Sequence, residues 1–119
     1  MEMDLGIHVK MHNNIGIIKL SGELDAYTSG RFREVMIETL ENGCAHLVIS
    51  LADVEYVDSS GLGALVGGLK RVSERKGRLV LVGARPQVRK VFEITGLEKV
   101  FPIYGTEQEA IEALEHFES

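Results

Sequence analysis

Apolar and polar positions along the chain change repeatedly from a period of two residues to a period of about 3.6, which predicts strands alternating with helices. Residues 6–11 and 15–20 show the shorter period, and the His-Asn-Asn sequence at 12–14 between them favours a hairpin turn. In the second run, Ile15 and Ile17 are expected to point inward. A turn-like stretch at 21–25 follows. The chain is therefore predicted to open with two antiparallel strands.

Helices and strands then alternate to the end of the chain. We expect helices at residues 29–41, 60–76 and 86–95, and strands at 46–51, 79–82 and 100–104. The strands at 46–51 and 79–82 are apolar on both faces, as is typical of parallel strands in a covered sheet. Pro102 cannot donate a hydrogen bond to a neighbouring strand, so the last strand is expected at an edge.

A final helix has its own start signal, because Thr106 and Glu109 have the spacing of a capping box. The complete order is ββαβαβαβα. It predicts one α/β domain over residues 1–119, with a mixed sheet, an opening hairpin and right-handed crossovers.

Composition narrows the class of protein. A chain of 119 residues, 45% hydrophobic and 26% charged, is expected to bury a core without disulfides or a structural metal. Cys44 is its one cysteine, so the chain has no internal disulfide, which is consistent with a reducing compartment. We expect Cys44 to be a small buried side chain. The net charge of −5 argues against nucleic-acid binding. Neither a signal-peptide pattern nor an apolar run of about 20 residues is visible, so we expect a cytoplasmic protein without a membrane span.

The charge is unevenly distributed. Eight basic residues and one acid, Glu74, lie between Lys70 and Lys90. A solvated helix face would explain this excess, and so would a surface that orients a protein partner.

The most informative stretch is Asp-Ser-Ser-Gly-Leu-Gly at residues 58–63, between a predicted strand and a predicted helix. Free N–H groups and the helix dipole favour an anion at such a position. The glycine spacing, however, differs from the dinucleotide-binding G-x-G-x-x-G, and neither serine stands in G-x-S-x-G. The four histidines lack a zinc-ligand spacing; they are His8, His12, His46 and His116. We therefore predict no catalytic residue, metal or cofactor.

Two features of the helix after this stretch have open interpretations. If the motif is only structural, Ser59 or Ser60 caps the helix. Gly67 and Gly68 lie in its middle, where each glycine costs roughly 0.5–1 kcal/mol relative to alanine. Either a tightly apposed sheet or a partner that needs a smooth helix face would offset this cost.

The 58–63 stretch, with Leu-Ala-Asp-Val-Glu-Tyr-Val before it, resembles the signature of the anti-sigma factor antagonists, which are members of the STAS domain family. Gly-Glu-Leu-Asp at 22–25 resembles that family's other short motif, and Thr-Gly-Leu at 95–97 is similar to its C-terminal third. The resemblance covers nearly the whole chain, and the predicted order of elements agrees with the STAS fold.

This resemblance implies a mechanism. Members of the family bind an anti-sigma factor that is also a serine kinase, and binding frees a sigma factor. Phosphorylation ends the binding until a serine phosphatase reverses it. The phosphorylated residue of the family maps onto Ser59, and Ser60 becomes its structural partner at the helix start. Asp25 and Asp58 map to positions at or beside the kinase-binding surface, and Gly61 and Gly63 belong to the same motif.

The alternative is a STAS module that binds a nucleotide or another anion within a signalling or transport complex. We expect this domain to act without an attached module, which favours the antagonist over the regulatory module. We also expect the antagonist to be a monomer when it is free. In that interpretation Asp25 either offers a free carboxylate to the partner or serves as a local turn residue before a helix capped by Thr28 or Ser29.

Overall fold

The computed structural model describes residues 5–118. Its strands are β1 (Leu5–His12), β2 (Ile15–Leu24), β3 (His46–Val57), β4 (Leu79–Val82) and β5 (Ile103–Tyr104), and its helices are α1 (Ser29–Glu41), α2 (Ser59–Glu74), α3 (Pro86–Thr95) and α4 (Glu107–Glu118). A short 3-10 helix, Leu97–Lys99, precedes β5. The predicted order of elements is confirmed.

One five-stranded sheet has the order β1-β2-β3-β4-β5. β1 and β2 form the antiparallel hairpin, and every later pairing is parallel. The α/β class with a mixed sheet is therefore confirmed. β5 lies at an edge, as Pro102 led us to expect, although the strand is only two residues long and begins after the proline.

Two layers of helices cover the sheet. On one face α1, α2 and α3 enclose the larger core around Leu65 and Phe92, and on the other α4 packs Leu114 against Ile17 of β2. Successive residues of β2 therefore serve different cores, since Ile18 lies in the first core and Ile17 in the second. No helix within residues 5–118 has the length and apolar character needed to cross a membrane.

β2 and β3 both extend further than predicted. The sequence pattern predicts a turn at residues 21–25 and an end of β3 at residue 51, yet Leu24 pairs with Val57. The pairing continues through register shifts around Ser21 and Gly22, which disturb the strict alternation that a sequence pattern can detect. This extension matters because it carries the ends of both strands beyond the end of β4.

The amino end of the sheet is closed by packing. The Nδ1 atom of buried His46 accepts a hydrogen bond of 3.0 Å from the Arg78 N–H. The Phe117 ring meets His46 edge-on, and the Arg78 guanidinium lies 4.8 Å from the centre of that ring. A Cβ atom on Gly77 would come within 1.8 Å of the Ala45 carbonyl oxygen. Gly77 therefore permits a close backbone approach at this end.

Cys44 is buried, as expected. Its Sγ donates to the Thr39 carbonyl oxygen at 3.2 Å, and burial raises the pKa of the thiol. A protonated, enclosed thiol is a poor nucleophile, so Cys44 acts as a core residue.

Candidate partner-binding site

The loops that follow β2, β3 and β4 meet at the carboxyl end of the sheet. The Asp58 N–H donates to the Leu24 carbonyl oxygen at 3.1 Å and so joins the first two loops. Arg85 in the third loop donates from Nε to the Ala52 carbonyl oxygen at 3.0 Å, and one of its terminal nitrogens lies 4.0 Å from the Glu55 carboxylate. This edge of the sheet, with residues 23–28, 52–60 and 83–85, is called the carboxyl edge below.

Asp58 is the N-cap of α2. Its Oδ1 accepts hydrogen bonds from the Ser60 N–H at 2.9 Å and from the Gly61 N–H at 3.1 Å. The purely structural interpretation, in which Ser59 or Ser60 caps the helix, is therefore wrong, and α2 begins at Ser59, one residue earlier than predicted. Aspartate satisfies two of the free N–H groups and also suits the positive end of the helix dipole.

Ser59 consequently does not cap α2. Its side chain is exposed, and its hydroxyl forms no hydrogen bond with any residue between 5 and 118. Ser60 is half-buried beside it. The first turn of α2 thus presents one serine hydroxyl to solvent that the surrounding structure does not use.

Asp25 has a structural role in the loop after β2. It is 7% exposed, and its Oδ1 accepts from the N–H groups of Tyr27 and Thr28 at 2.9 and 3.1 Å. The Thr28 hydroxyl donates to the Glu23 carbonyl oxygen at 2.8 Å and accepts from the Asp25 N–H at 3.0 Å. Of the two interpretations of Asp25, the structure supports the local turn residue and not the free carboxylate, because these bonds hold the carboxylate within the loop. Thr28 is the N-cap residue of α1 but makes no side-chain bond to that helix.

Two exposed tyrosines that no sequence motif identified lie on the carboxyl edge. Tyr27 is 87% exposed at the tip of the loop that Asp25 holds, and Tyr56 is 51% exposed near the end of β3. Exposed aromatic side chains are frequent anchors of protein interfaces. For Tyr27 the sequence does offer a signal. It lies in a short polar turn and does not belong to an apolar pattern of the kind that predicts burial.

The two glycines of the motif differ in function. A Cβ atom on Gly61 would lie 2.6 Å from the Leu24 carbonyl oxygen, so glycine lets α2 approach β2 closely. Gly61 is buried, which contradicts its assignment as a direct partner contact. Gly63 is exposed, and the nearest atom to its added Cβ is an Arg33 terminal nitrogen at 3.6 Å. Packing therefore does not require a glycine at position 63. The absence of a side chain there leaves the backbone of α2 open to solvent.

The same test separates the two glycines in the middle of α2. A Cβ atom on Gly68 would come within 2.6 Å of the Met36 sulfur, so close packing between helices explains this residue. A Cβ atom on Gly67 would meet nothing within 4 Å. Close packing thus accounts for one glycine and leaves the other without a reason inside the fold.

The chemistry of the carboxyl edge is that of a recognition surface. Besides Arg85 it carries mainly acidic side chains, which are Glu23, Asp25, Asp53, Glu55 and Asp58. Among the described residues, His, Cys, Asp and Glu form no group of three or more that could hold a metal ion. Neither histidine nor lysine is part of this edge, so Ser59 has no imidazole or amine there to activate it as a nucleophile.

Comparison with known proteins decides the family, because the STAS domain model matches residues 6–110. The chain belongs to the STAS domain family. The anti-sigma F factor antagonist of Paenibacillus polymyxa is 37% identical to this STAS domain over 114 residues, covering 95% of this chain and 97% of the relative. The anti-sigma-B factor antagonist of Staphylococcus epidermidis is 35% identical over 108 residues, covering 90% of this chain and all of the relative. These names describe regulators and not enzymes, as the sequence led us to expect.

Solved structures agree with this assignment. An anti-sigma factor antagonist from Mycobacterium paratuberculosis superposes with a TM-score of 0.86 at 28% identity, over 97% of both chains. The unphosphorylated form of the antagonist SpoIIAA superposes with a TM-score of 0.82 at 26% identity, over 93% of this chain and 97% of that one. SpoIIAA from Bacillus is also known in a phosphorylated form, which superposes with a TM-score of 0.72 at 26% identity over 91% of this chain and 98% of that one. The resemblance stated from the two sequence motifs is thereby confirmed.

The STAS domain brings most of the predicted site residues together. Asp25, Asp58, Ser59 and Ser60 share the carboxyl edge, Gly61 packs beneath it, and Gly63 lies one helical turn beyond Ser59. The exposed members are Ser59 and Gly63, while the two aspartates hold the loops.

Proposed function

We propose that this STAS domain is an anti-sigma factor antagonist that is switched by phosphorylation of Ser59. Its unphosphorylated form binds an anti-sigma factor that is also a serine kinase, and the sigma factor is released. The observation that supports this function best is the exposed Ser59 hydroxyl, which no described residue binds, at the start of a helix capped by another residue. A kinase can reach such a hydroxyl, and its modification removes no hydrogen bond from the fold.

The charge balance supports a switch at the partner surface. Phosphoserine carries a charge of about −1.5 to −2 at neutral pH. Repulsion from the Asp58 carboxylate costs on the order of 1 kcal/mol in water, and the N-terminus of α2 returns about 0.3–1 kcal/mol. These contributions nearly cancel, so the domain keeps its fold. A closed interface cannot hydrate the new dianion, and each 1.4 kcal/mol lost there is about tenfold in affinity.

The carboxyl edge supplies the contact surface in this proposal. Ser59, Ser60 and Gly63 contact the anti-sigma factor together with Tyr27 and Tyr56. Asp25, Asp58 and Gly61 act indirectly, because they shape the loops and the helix start. The domain acts as a monomer in the cytoplasm, and a serine phosphatase returns it to the binding form.

Phosphate transfer to this chain tests the proposal. The purified domain is incubated with ATP and with each anti-sigma factor of the same organism in turn. Intact-mass spectrometry should show one added phosphate with one of these proteins and none with ATP alone. Fragment-ion spectra should place the phosphate on Ser59.

A matched variant controls for modification elsewhere. Ser60→Ala should still accept the phosphate, whereas Ser59→Ala should not. Phosphate on Ser60 or Thr28 would refute the residue assignment. Absence of binding to every anti-sigma factor, combined with tight binding of a nucleotide in calorimetry, would instead favour the anion-binding module.

A further inference from the structure

A groove runs between α1 and α2 on the helical face of the domain. Arg33 and Arg71 flank it, and apolar or small residues line its floor; these are Met36, Ile37, Ala64, Gly67 and Gly68. Its volume is about 180 Å³. The first residues of the two helices lie at the same end, because Arg33 stands beside Gly63 while Arg75 donates to the Leu40 carbonyl oxygen near the other end. One end of the groove therefore lies next to the carboxyl edge.

Gly67 keeps the groove open. Its missing side chain would extend into free space, so neither the sheet nor α1 requires a glycine at this position. Glycine lowers helix stability relative to alanine, and Gly68 next to it is already explained by the Met36 sulfur. The sequence leaves open whether packing or a partner explains the pair, and packing does not explain Gly67.

The two flanking arginines are available for a ligand. Within residues 5–118, the guanidinium groups of Arg33 and Arg71 are both exposed and form neither a hydrogen bond nor an ion pair. Arg33 stands over Gly63, and Arg71 follows Gly63 by eight residues. At a rise of 1.5 Å per residue, Gly63 and Arg71 lie about 12 Å apart along α2, so Arg33 lies toward the start of that helix and Arg71 belongs to its last turn. Beyond Arg71, the far end of the groove carries both signs of charge, with Glu41 and Glu74 beside Arg75.

We propose that this groove binds an acidic amphipathic helix of the anti-sigma factor. Apolar side chains of that helix fill the space above Gly67, and carboxylates beside them pair with Arg33 and Arg71. The inference rests on the proposed function. Two observations favour this occupant: the groove combines two exposed cations with an apolar floor, which matches a helix that carries both carboxylates and apolar side chains, and Gly63 links the groove to the carboxyl edge.

Four variants test the groove against the anti-sigma factor that the wild-type domain binds. Gly67→Leu fills the groove, and Gly67→Ala is its small control. The double variant Arg33→Glu/Arg71→Glu reverses both charges, and Lys99→Glu, in the 3-10 helix before β5, reverses an exposed charge elsewhere. Calorimetry should show a loss of affinity of about tenfold or more for Gly67→Leu and for the double reversal, and changes below about threefold for both controls.

Methyl NMR supplies a second measurement. In the domain with labelled methionine methyl groups, the Met36 resonance on the groove floor should shift on binding, and that of Met11 on β1 should not. Thermal melts identify any variant that has unfolded, and Gly67→Leu should melt no lower than the wild type.

The outcomes separate the two proposals. If Ser59→Asp weakens binding about tenfold or more while Gly67→Leu and the double reversal keep wild-type affinity, the proposed function stands and the groove inference is overturned. If the wild-type domain binds no anti-sigma factor, both fail. Self-association of the wild-type domain that Gly67→Leu removes would assign the groove to a second copy and overturn this occupant.

Discussion

The two ends of the sheet use their side chains in opposite ways. At the amino end His46, Arg78 and Phe117 contact one another, and Gly77 lies against a backbone oxygen. At the carboxyl edge the aspartates also bond to backbone N–H groups, yet Ser59 and Tyr27 project into solvent. Because Asp58 and Asp25 already accept hydrogen bonds from the backbone N–H groups of these loops, the fold does not depend on the exposed residues. Those residues are the ones available for recognition.

The largest effect on stability is expected at the amino end. Gly77→Ala forces a Cβ atom against the Ala45 carbonyl oxygen, which would be 1.8 Å away, so the backbone must move. We expect the free energy of unfolding to fall by about 3 kcal/mol or more in urea titrations.

Gly67→Ala is the matched control, because its added Cβ meets open space and should raise stability by about 0.5–1 kcal/mol. Equal stability of the two variants would contradict the packing described at the amino end.

The next effect concerns the loop after β2. Asp25→Ala removes the acceptor of the Tyr27 and Thr28 N–H groups and should cost about 1–3 kcal/mol of unfolding free energy. Asp25→Asn retains one side-chain carbonyl oxygen and should lose less. A stability change within about 0.5 kcal/mol for Asp25→Ala, together with lost partner binding, would restore the free-carboxylate interpretation.

Tyr27→Ala should act on binding rather than on folding. The side chain is 87% exposed, so its removal should change stability by less than about 0.5 kcal/mol. If Tyr27 anchors the partner, affinity for the anti-sigma factor should drop about tenfold in calorimetry. Ile94→Ala removes another exposed apolar side chain, 75% exposed near the end of α3, and should bind like the wild type. Similar affinity for both variants would exclude Tyr27 from the interface.

The sequence predicted the parts of the fold that local patterns determine. The bounds of α1 and α3 were correct, Gly96 ends α3 in the left-handed region with φ of 77°, and Thr106 with Glu109 forms the expected start of α4. The ends of β2 and β3 were missed because their pairing passes through register shifts that only the tertiary structure defines. The pattern of apolar residues along a single strand does not show where such shifts occur.

The candidate site was predicted less completely. The motifs identified Ser59 and its neighbours, but the assignment of the cap depended on where α2 begins, and Asp58 stands one residue before the expected candidates. The contrast between Gly67 and Gly68 depends on which face of α2 meets Met36, a long-range contact that the sequence does not contain.

Substitution of Ser59 tests the central claim most directly, namely that the switch acts at the partner surface and not through the fold. Thermal melts and binding isotherms are measured for Ser59→Ala and Ser59→Asp. Because Asp58 is the cap, Ser59→Ala should stay within about 0.5 kcal/mol of wild-type stability and keep its affinity for the anti-sigma factor. Ser59→Asp should stay within about 1 kcal/mol, since the helix dipole tolerates the charge, but should bind about tenfold more weakly or worse. Unfolding of both variants, or wild-type affinity of Ser59→Asp together with wild-type affinity of the phosphorylated domain, would contradict the account.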